Sequence, residues 1–130
     1  MVPVKSFMVP KEKFVTIKQN TDTQTAAQIM RDRGIGSLFV TNGKEIVGIL
    51  TDTDIVQRVV ANRVDTHKTT AEQIMSTPIV TIEEDKTILD ANDLMAKTHI
   101  RHLGVTQGGK LVGMISVRDI VVFLTNLPRK

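Results

Sequence analysis

Two stretches of the chain hold the residues best suited to chemistry: Gly48-Ile49-Leu50-Thr51-Asp52-Thr53-Asp54 and Gly113-Met114-Ile115-Ser116-Val117-Arg118-Asp119. Each reads as glycine, two apolar residues, a hydroxyl residue, two free positions and an aspartate. Thr51 with Asp54, and Ser116 with Asp119, have the spacing of capping boxes at helix starts, and that structural role alone accounts for both pairs. The same geometry also suits binding. A strand running into a helix N-terminus aims backbone N–H groups and the positive end of the helix dipole at one spot, where a phosphate fits. An aspartate beside that spot accepts hydrogen bonds from two vicinal hydroxyls, so ribose plus phosphate is the chemistry such a corner serves.

Other chemistries find little support. His99 and His102 fall at a helix end and in a strand, with no third ligand near them in sequence, so no metal site is expected. Gly104 to Lys110 matches the start of a P-loop, but Leu111 stands where Ser or Thr would bind magnesium, and a strand follows where a helix is required. Cysteine is absent, which excludes thiolate nucleophiles, disulfides and Cys-ligated metals. No serine is flanked as a nucleophile elbow and no carboxylate pair is set for acid–base work, so we expect no catalysis and no required cofactor. Seventeen Lys and Arg against fourteen Asp and Glu give a net charge of +3, too mild for a nucleic-acid footprint. With no Tyr or Trp and only four Phe, base stacking also has little to work with. No apolar run approaches the roughly 18 residues a membrane helix needs. The expectation is a soluble, cytoplasmic protein.

The elements that must position the two corners are repeated. Val15-Thr16-Ile17 returns as Val80-Thr81-Ile82, and Asp54-Ile55-Val56 as Asp119-Ile120-Val121, at a constant offset of 65 (80 − 15 and 119 − 54). Fifteen of the 42 positions from Val15 to Val56 match their partner without a gap, so the chain is two copies of one unit. Short β-rich runs at residues 14–17 and 79–82 each precede an amphipathic helix, at 23–33 and 88–98. Asp22 and Thr87 are the expected N-caps and Gly34 the C-cap of the first helix. Hairpins follow, at 38–41 with 46–50 through Asn42-Gly43, and at 103–106 with 111–115 through Gly108-Gly109. Last helices are expected at 52–61 and 117–125. Each unit thus reads strand, helix, strand, strand, helix, an α/β (α+β) pattern. Residues 1–62 form the first unit, 63–70 a polar linker and 71–130 the second. Short lead-in helices at 5–8 and 71–75 end before Pro10 and Pro78. Two three-stranded sheets, each with one apolar face, are expected to pack together around a pseudo-twofold axis.

With these residues in view, the double unit resembles a tandem pair of CBS domains, the Bateman module, over essentially the whole chain. The resemblance implies a regulatory module that binds AMP, ADP, ATP or S-adenosylmethionine. It implicates Thr51, Asp54, Ser116 and Asp119 in contacts to phosphate and ribose, and Thr16, Ile17, Thr81 and Ile82 along the walls of an adenine slot. Ile100, Arg101 and His102 resemble the family's second strand, whose basic residues reach phosphate, and Arg118 before Asp119 fits the family's Arg-Asp pattern. Thr53 departs from it, and Gly36 and Ser37 stand where the second unit has Arg101 and His102, so the second site is expected to be the stronger. Ligand is expected in one or both clefts between the units. The resemblance and the apolar faces at Ile55, Val56, Val59 and Val60, and at Ile120, Val121 and Leu124, imply a homodimer read by an effector protein. The alternatives are an interaction scaffold with vestigial clefts and, less favoured, a nucleic-acid binder.

Overall fold

The computed structural model describes residues 2–126. A 3-10 turn at Val4–Ser6 leads to strand β1 (Val9–Pro10), a second turn at Lys11–Lys13, β2 (Thr16–Lys18), helix α1 (Thr23–Arg33), β3 (Ser37–Thr41) and β4 (Ile46–Thr51). Helix α2 (Asp52–Asp54) continues as a π-helical stretch, Ile55–Val60, followed by α3 (Ala71–Ile74) and β5 (Thr81–Glu83). The order ends with α4 (Ile88–Thr98), β6 (His102–Gln107), β7 (Lys110–Ser116) and α5 (Val117–Thr125). The fold is mixed α/β with two sheets, of order β2-β3-β4 and β1-β7-β6-β5.

Local sequence explains most boundaries. Asp22 accepts from the Thr25 N–H and caps α1, while Thr87 and Asp90 form a reciprocal capping box on α4. Helix α1 ends at Gly34 with φ 63°, a left-handed conformation that glycine adopts without steric cost. His99 takes the same role for α4 at φ 57°, where a side chain makes that conformation strained. The first hairpin is wider than the Asn42-Gly43 pair implies. The Asn42 Oδ1 accepts from the N–H groups of Lys44 and Glu45, both at 2.9 Å, so the loop takes four residues. The second hairpin closes through the Gly108-Gly109 pair alone, with Gln107 opposite Lys110.

The chain divides into a continuous unit, Val15–Ile79, and a split unit, Met1–Phe14 with Val80–Lys130. The repeat bounds 1–62, 63–70 and 71–130 follow the two sequence copies, and the contact units join each copy to the lead-in segment that pairs with it. In the split unit, β1 adds antiparallel to β7 with Val9 opposite Met114, which makes a fourth strand where three were expected. The Val4 N–H also donates to the Lys86 carbonyl at 2.7 Å. In the continuous unit, Ser76 and Ile49 exchange both backbone bonds, at 2.8 and 3.1 Å. The 63–70 segment is tied down too: the Thr23 N–H donates to Thr69 O at 2.8 Å, and Thr23 Oγ1 to Thr66 O at 3.0 Å.

Each unit has its own core. In the continuous unit Ile17, Leu38, Val40 and Leu50 pack with Ala26 and Met30 of α1. In the split unit Ile82, Leu103, Val105 and Ile115 pack with Ala91 and Met95 of α4. Leu38 and Leu103 are completely buried, and truncating either to alanine should cost about 2–5 kcal/mol. Paired residues share a face and successive ones alternate. The second face of one sheet therefore carries Thr16, Phe39, Ile49, Ser37 and Thr51, and that of the other carries Thr81, Gly104, Met114, His102 and Ser116.

Candidate functional site

At each corner the last strand ends on the hydroxyl residue and the helix begins immediately. The backbone bonds are reciprocal: the Thr51 N–H donates to Asp54 Oδ2 at 2.9 Å and the Asp54 N–H to Thr51 Oγ1 at 3.3 Å. The Ser116 N–H donates to Asp119 Oδ2 at 2.8 Å, and the Asp119 N–H to Ser116 Oγ at 3.3 Å. Both pairs are thus genuine capping boxes, each worth about 1 kcal/mol to its helix. The strand end stays close to the preceding segment because glycine leaves room. A Cβ at Gly48 would stand 2.5 Å from Met75 Sδ, and one at Gly113 would stand 2.5 Å from Met8 Sδ.

The two corners differ in what remains available. In the split unit the Val117 N–H is held by the Arg101 carbonyl at 3.0 Å. Among the described residues, the Arg118 N–H meets no acceptor and Asp119 Oδ1 meets no donor. Arg118 itself is exposed, and His102 lies opposite Ser116 across the hairpin. One free backbone donor, one free carboxylate oxygen and the exposed Arg118 side chain therefore share one helix start. Thr81 lies on the same face of the sheet.

In the continuous unit the corresponding groups are occupied. The Asp52 N–H donates to Gly36 O at 3.0 Å, and the Thr53 N–H donates to Asp52 Oδ1 at 2.8 Å. Asp54 is buried. Its Oδ2 takes the Thr51 contacts, and its Oδ1 takes Ser76 Oγ at 3.1 Å with Arg58 Nε at 3.7 Å. Arg58 Nη1 also donates to the Ile74 and Met75 carbonyls at 3.1 and 3.2 Å. Ser37 lies opposite Thr51, and Thr16 is exposed on the same face.

Sequence reasoning missed Ser76, Arg58 and Asp52. The 65-residue offset pairs Ser76 with Lys11 (76 − 65), whereas the structure sets Ser76 and Val9 in equivalent places, opposite Ile49 and Met114. The two-residue change of register in the lead-in segments hides the equivalence. Ile17 and Ile82 are only 7% and 8% exposed and lie in their own units' cores, while Thr16 and Lys18 of the first strand and Thr81 of the second are exposed. Ile100 is half-buried against the split-unit core, and its N–H closes the end of α4 on the Met95 carbonyl at 3.2 Å. No cluster of three or more His, Asp or Glu exists among the described residues to hold a metal ion, and no described helix is long and apolar enough to cross a membrane.

The chain belongs to the CBS-domain family, whose profile matches residues 4–61 and 71–126. Proteins with paired CBS domains are typically regulatory nucleotide-binding modules. An uncharacterized protein of Methanopyrus kandleri is 39% identical over 104 residues, covering 76% of this chain and 53% of its own length, so the chain spans about half of that relative. The crystal structure of an uncharacterized conserved protein from Pyrococcus horikoshii superposes with a TM-score of 0.86 at 25% identity, covering 99% of this chain and 96% of that one. A structure of CBSX2 in complex with AMP shares the fold at a TM-score of 0.78 and 20% identity, covering 99% of this chain and 100% of that one.

Proposed function

We propose that the chain is a regulatory sensor of an adenosine-containing ligand, with no catalysis of its own, and that the Ser116–Asp119 corner is its stronger site. The observation that carries this reading is the free Asp119 oxygen beside the open Arg118 N–H at the start of α5. A ribose diol donates to the carboxylate, while a phosphate accepts from the backbone and from Arg118, and on this reading Arg101 and His102 of the same unit supply further donors. Ser116 positions Asp119, and Thr81 borders the sugar or base. The AMP held by CBSX2, a protein of the same fold, supports adenosine as the nucleoside. S-adenosylmethionine, ADP and ATP carry the same adenosine group. On this reading the corresponding residues of the continuous unit, Thr16, Thr51 and Asp54, make the less favoured corner, with ligand at one or both corners. Ile17 and Ile82, being core residues, support strand position.

A cytoplasmic setting and a homodimer belong to this reading. Val121, Val122 and Leu124 of α5 and Leu89 of α4 are exposed, while Val59 and Ile120, expected on the same apolar faces, are buried. An apolar hollow of about 360 Å³ lies between α4 and α5, lined by Val2, Ile88, Leu89, Ile120, Phe123 and Leu124 among others. A second copy burying these helices removes that surface from water. Ligand then shifts the arrangement of the pair by the difference between its affinities for the two states, and an effector protein reads the result. Scanning fluorimetry with AMP, ADP, ATP, S-adenosylmethionine, GMP and UMP tests the reading. The adenosine compounds should raise the melting temperature in proportion to the logarithm of their concentration. A panel with no response at several millimolar refutes it and leaves the scaffold.

A further inference from the structure

Both corners carry the family motif, yet their backbone donors and carboxylates are in different states. The Asp52 carboxylate sits on the Thr53 N–H at 2.8 Å, where the split unit has Val117 and an open Arg118 N–H. A phosphate arriving at that N–H meets a negative charge already hydrogen-bonded to it. Ser76 Oγ donates to Asp54 Oδ1 at 3.1 Å, where the split unit has Val9, which has no donor side chain. Arg58 adds its Nε at 3.7 Å, where the 65-residue offset puts Phe123, whose ring meets Phe7 edge-on with centroids 4.6 Å apart. The same position in the two copies thus holds its lead-in segment by a guanidinium on carbonyls in one case and by an aromatic pair in the other. Only the guanidinium reaches the motif aspartate.

We propose that Asp52 and Ser76, with Arg58, keep the continuous unit's corner occupied by the protein's own groups, so that one adenosine ligand binds per chain and positions 9, 52, 76 and 117 decide which motif copy works. This inference rests on the nucleotide reading above. It goes beyond it by assigning the choice of site to residues outside the shared motif pattern. A diol at Asp54 must displace Ser76 Oγ from a buried carboxylate and weaken the hold of Arg58 on the carbonyls of Ile74 and Met75. Removing a donor from a charged acceptor is costly in such surroundings. At Asp119 no such displacement is needed.

Exchanging the residues between copies tests this, with AMP as the probe in titration calorimetry. The wild type should bind one equivalent per chain. The closing variant V9S/V117D gives the split unit the hydroxyl and carboxylate of its counterpart, and its affinity for AMP should fall at least tenfold. An acidic residue is well tolerated in the first turn of a helix, and V9S and V117D made singly should each give part of the loss. The opening variant D52V/S76V should bind a second, weaker equivalent. Two equivalents on the wild type, affinity within twofold in the folded closing variant, or a single equivalent on the folded opening variant each overturns the proposal. No AMP binding by the wild type refutes the nucleotide reading itself, and the inference falls with it.

Discussion

Placing a methyl group at Gly48 or Gly113 probes how tightly each lead-in segment is seated against the strand that ends at its corner. No left-handed backbone is involved at either glycine, so the cost comes from contact alone. At Gly48 the new Cβ meets Met75 Sδ at 2.5 Å, Met75 Cγ at 3.0 Å and the Ser76 carbonyl at 3.1 Å. At Gly113 it meets Met8 Sδ at 2.5 Å, Met8 Cγ at 3.0 Å and the Val9 carbonyl at 2.9 Å. Methionine is flexible and swings away at small cost, but a carbonyl moves only with its backbone. Val9 is held in register with Met114 and Ser76 exchanges both backbone bonds with Ile49, so relief disturbs strand pairing at either glycine, and more at Gly113, where the carbonyl lies closer. Overpacking costs roughly 1–3 kcal/mol, and we expect G48A near the lower end and G113A near the upper. At about 4 °C per kcal/mol, G113A should melt about 8–12 °C below the wild type and G48A about 4 °C below. In double-mutant cycles M75A should relieve most of the strain of G48A, whereas M8A should relieve only part of that of G113A. Thermal melts followed by circular dichroism decide it. A G113A protein melting within 1 °C of the wild type, or G48A costing more than G113A, refutes the reasoning.

Further outcomes follow from surface and charge. The isolated chain should give twice its 14.4 kDa mass by light scattering at tens of micromolar, and L89E/L124E should return it to the monomer; a monomeric wild type contradicts the dimer. Glu83 is held below its ordinary value of 4.5, first by the Thr106 hydroxyl, and Asp22 and Asp90 below 3.8, first by the backbone N–H groups of Thr25 and Thr87. Their folded-state values are depressed, so the stability they contribute is present above the unfolded values and lost as pH falls through the folded ones. Urea midpoints should therefore hold steady at neutral pH and fall below about pH 4.5, and T106V should flatten that fall. A T106V protein with the wild-type acid profile sets this aside.

The helix ends were legible because caps are written in side chains: Asp22, Gly34, Thr87 and Ser116 each announce a boundary and each occupies it. The two corners were legible for the same reason, their hydroxyl and aspartate being spaced as capping boxes. What escaped the sequence is carried by the backbone. The pairing of Val9 with Met114 and of Ser76 with Ile49 involves main-chain groups, and no residue type signals it. The ties from Thr66 and Thr69 to the start of α1 likewise turn an apparent linker into part of a fold. Ser76 and Val9 became comparable only once the strands set them in equivalent places. The loop at Asn42-Gly43 grew to four residues because Asn42 caps two N–H groups beyond the glycine, a bond that the dipeptide alone does not reveal. The contacts of Ser76 and Arg58 with Asp54 depend on that placement, so the repeat pattern showed the motif twice without showing how differently its two copies are surrounded.

The central claim is that Asp119, at the start of α5, receives the sugar of an adenosine ligand. Titration calorimetry of AMP into wild type, D119A and D119N, each shown by melting to be folded, tests it most directly, since the aspartate also caps the helix and its removal costs about 1 kcal/mol of stability. A charge-assisted bond to a ligand is worth roughly 1.5–3 kcal/mol, so the account predicts about a tenfold to hundredfold weaker affinity in both variants, with GMP bound weakly throughout. AMP affinity within twofold of wild type in folded D119A would contradict it.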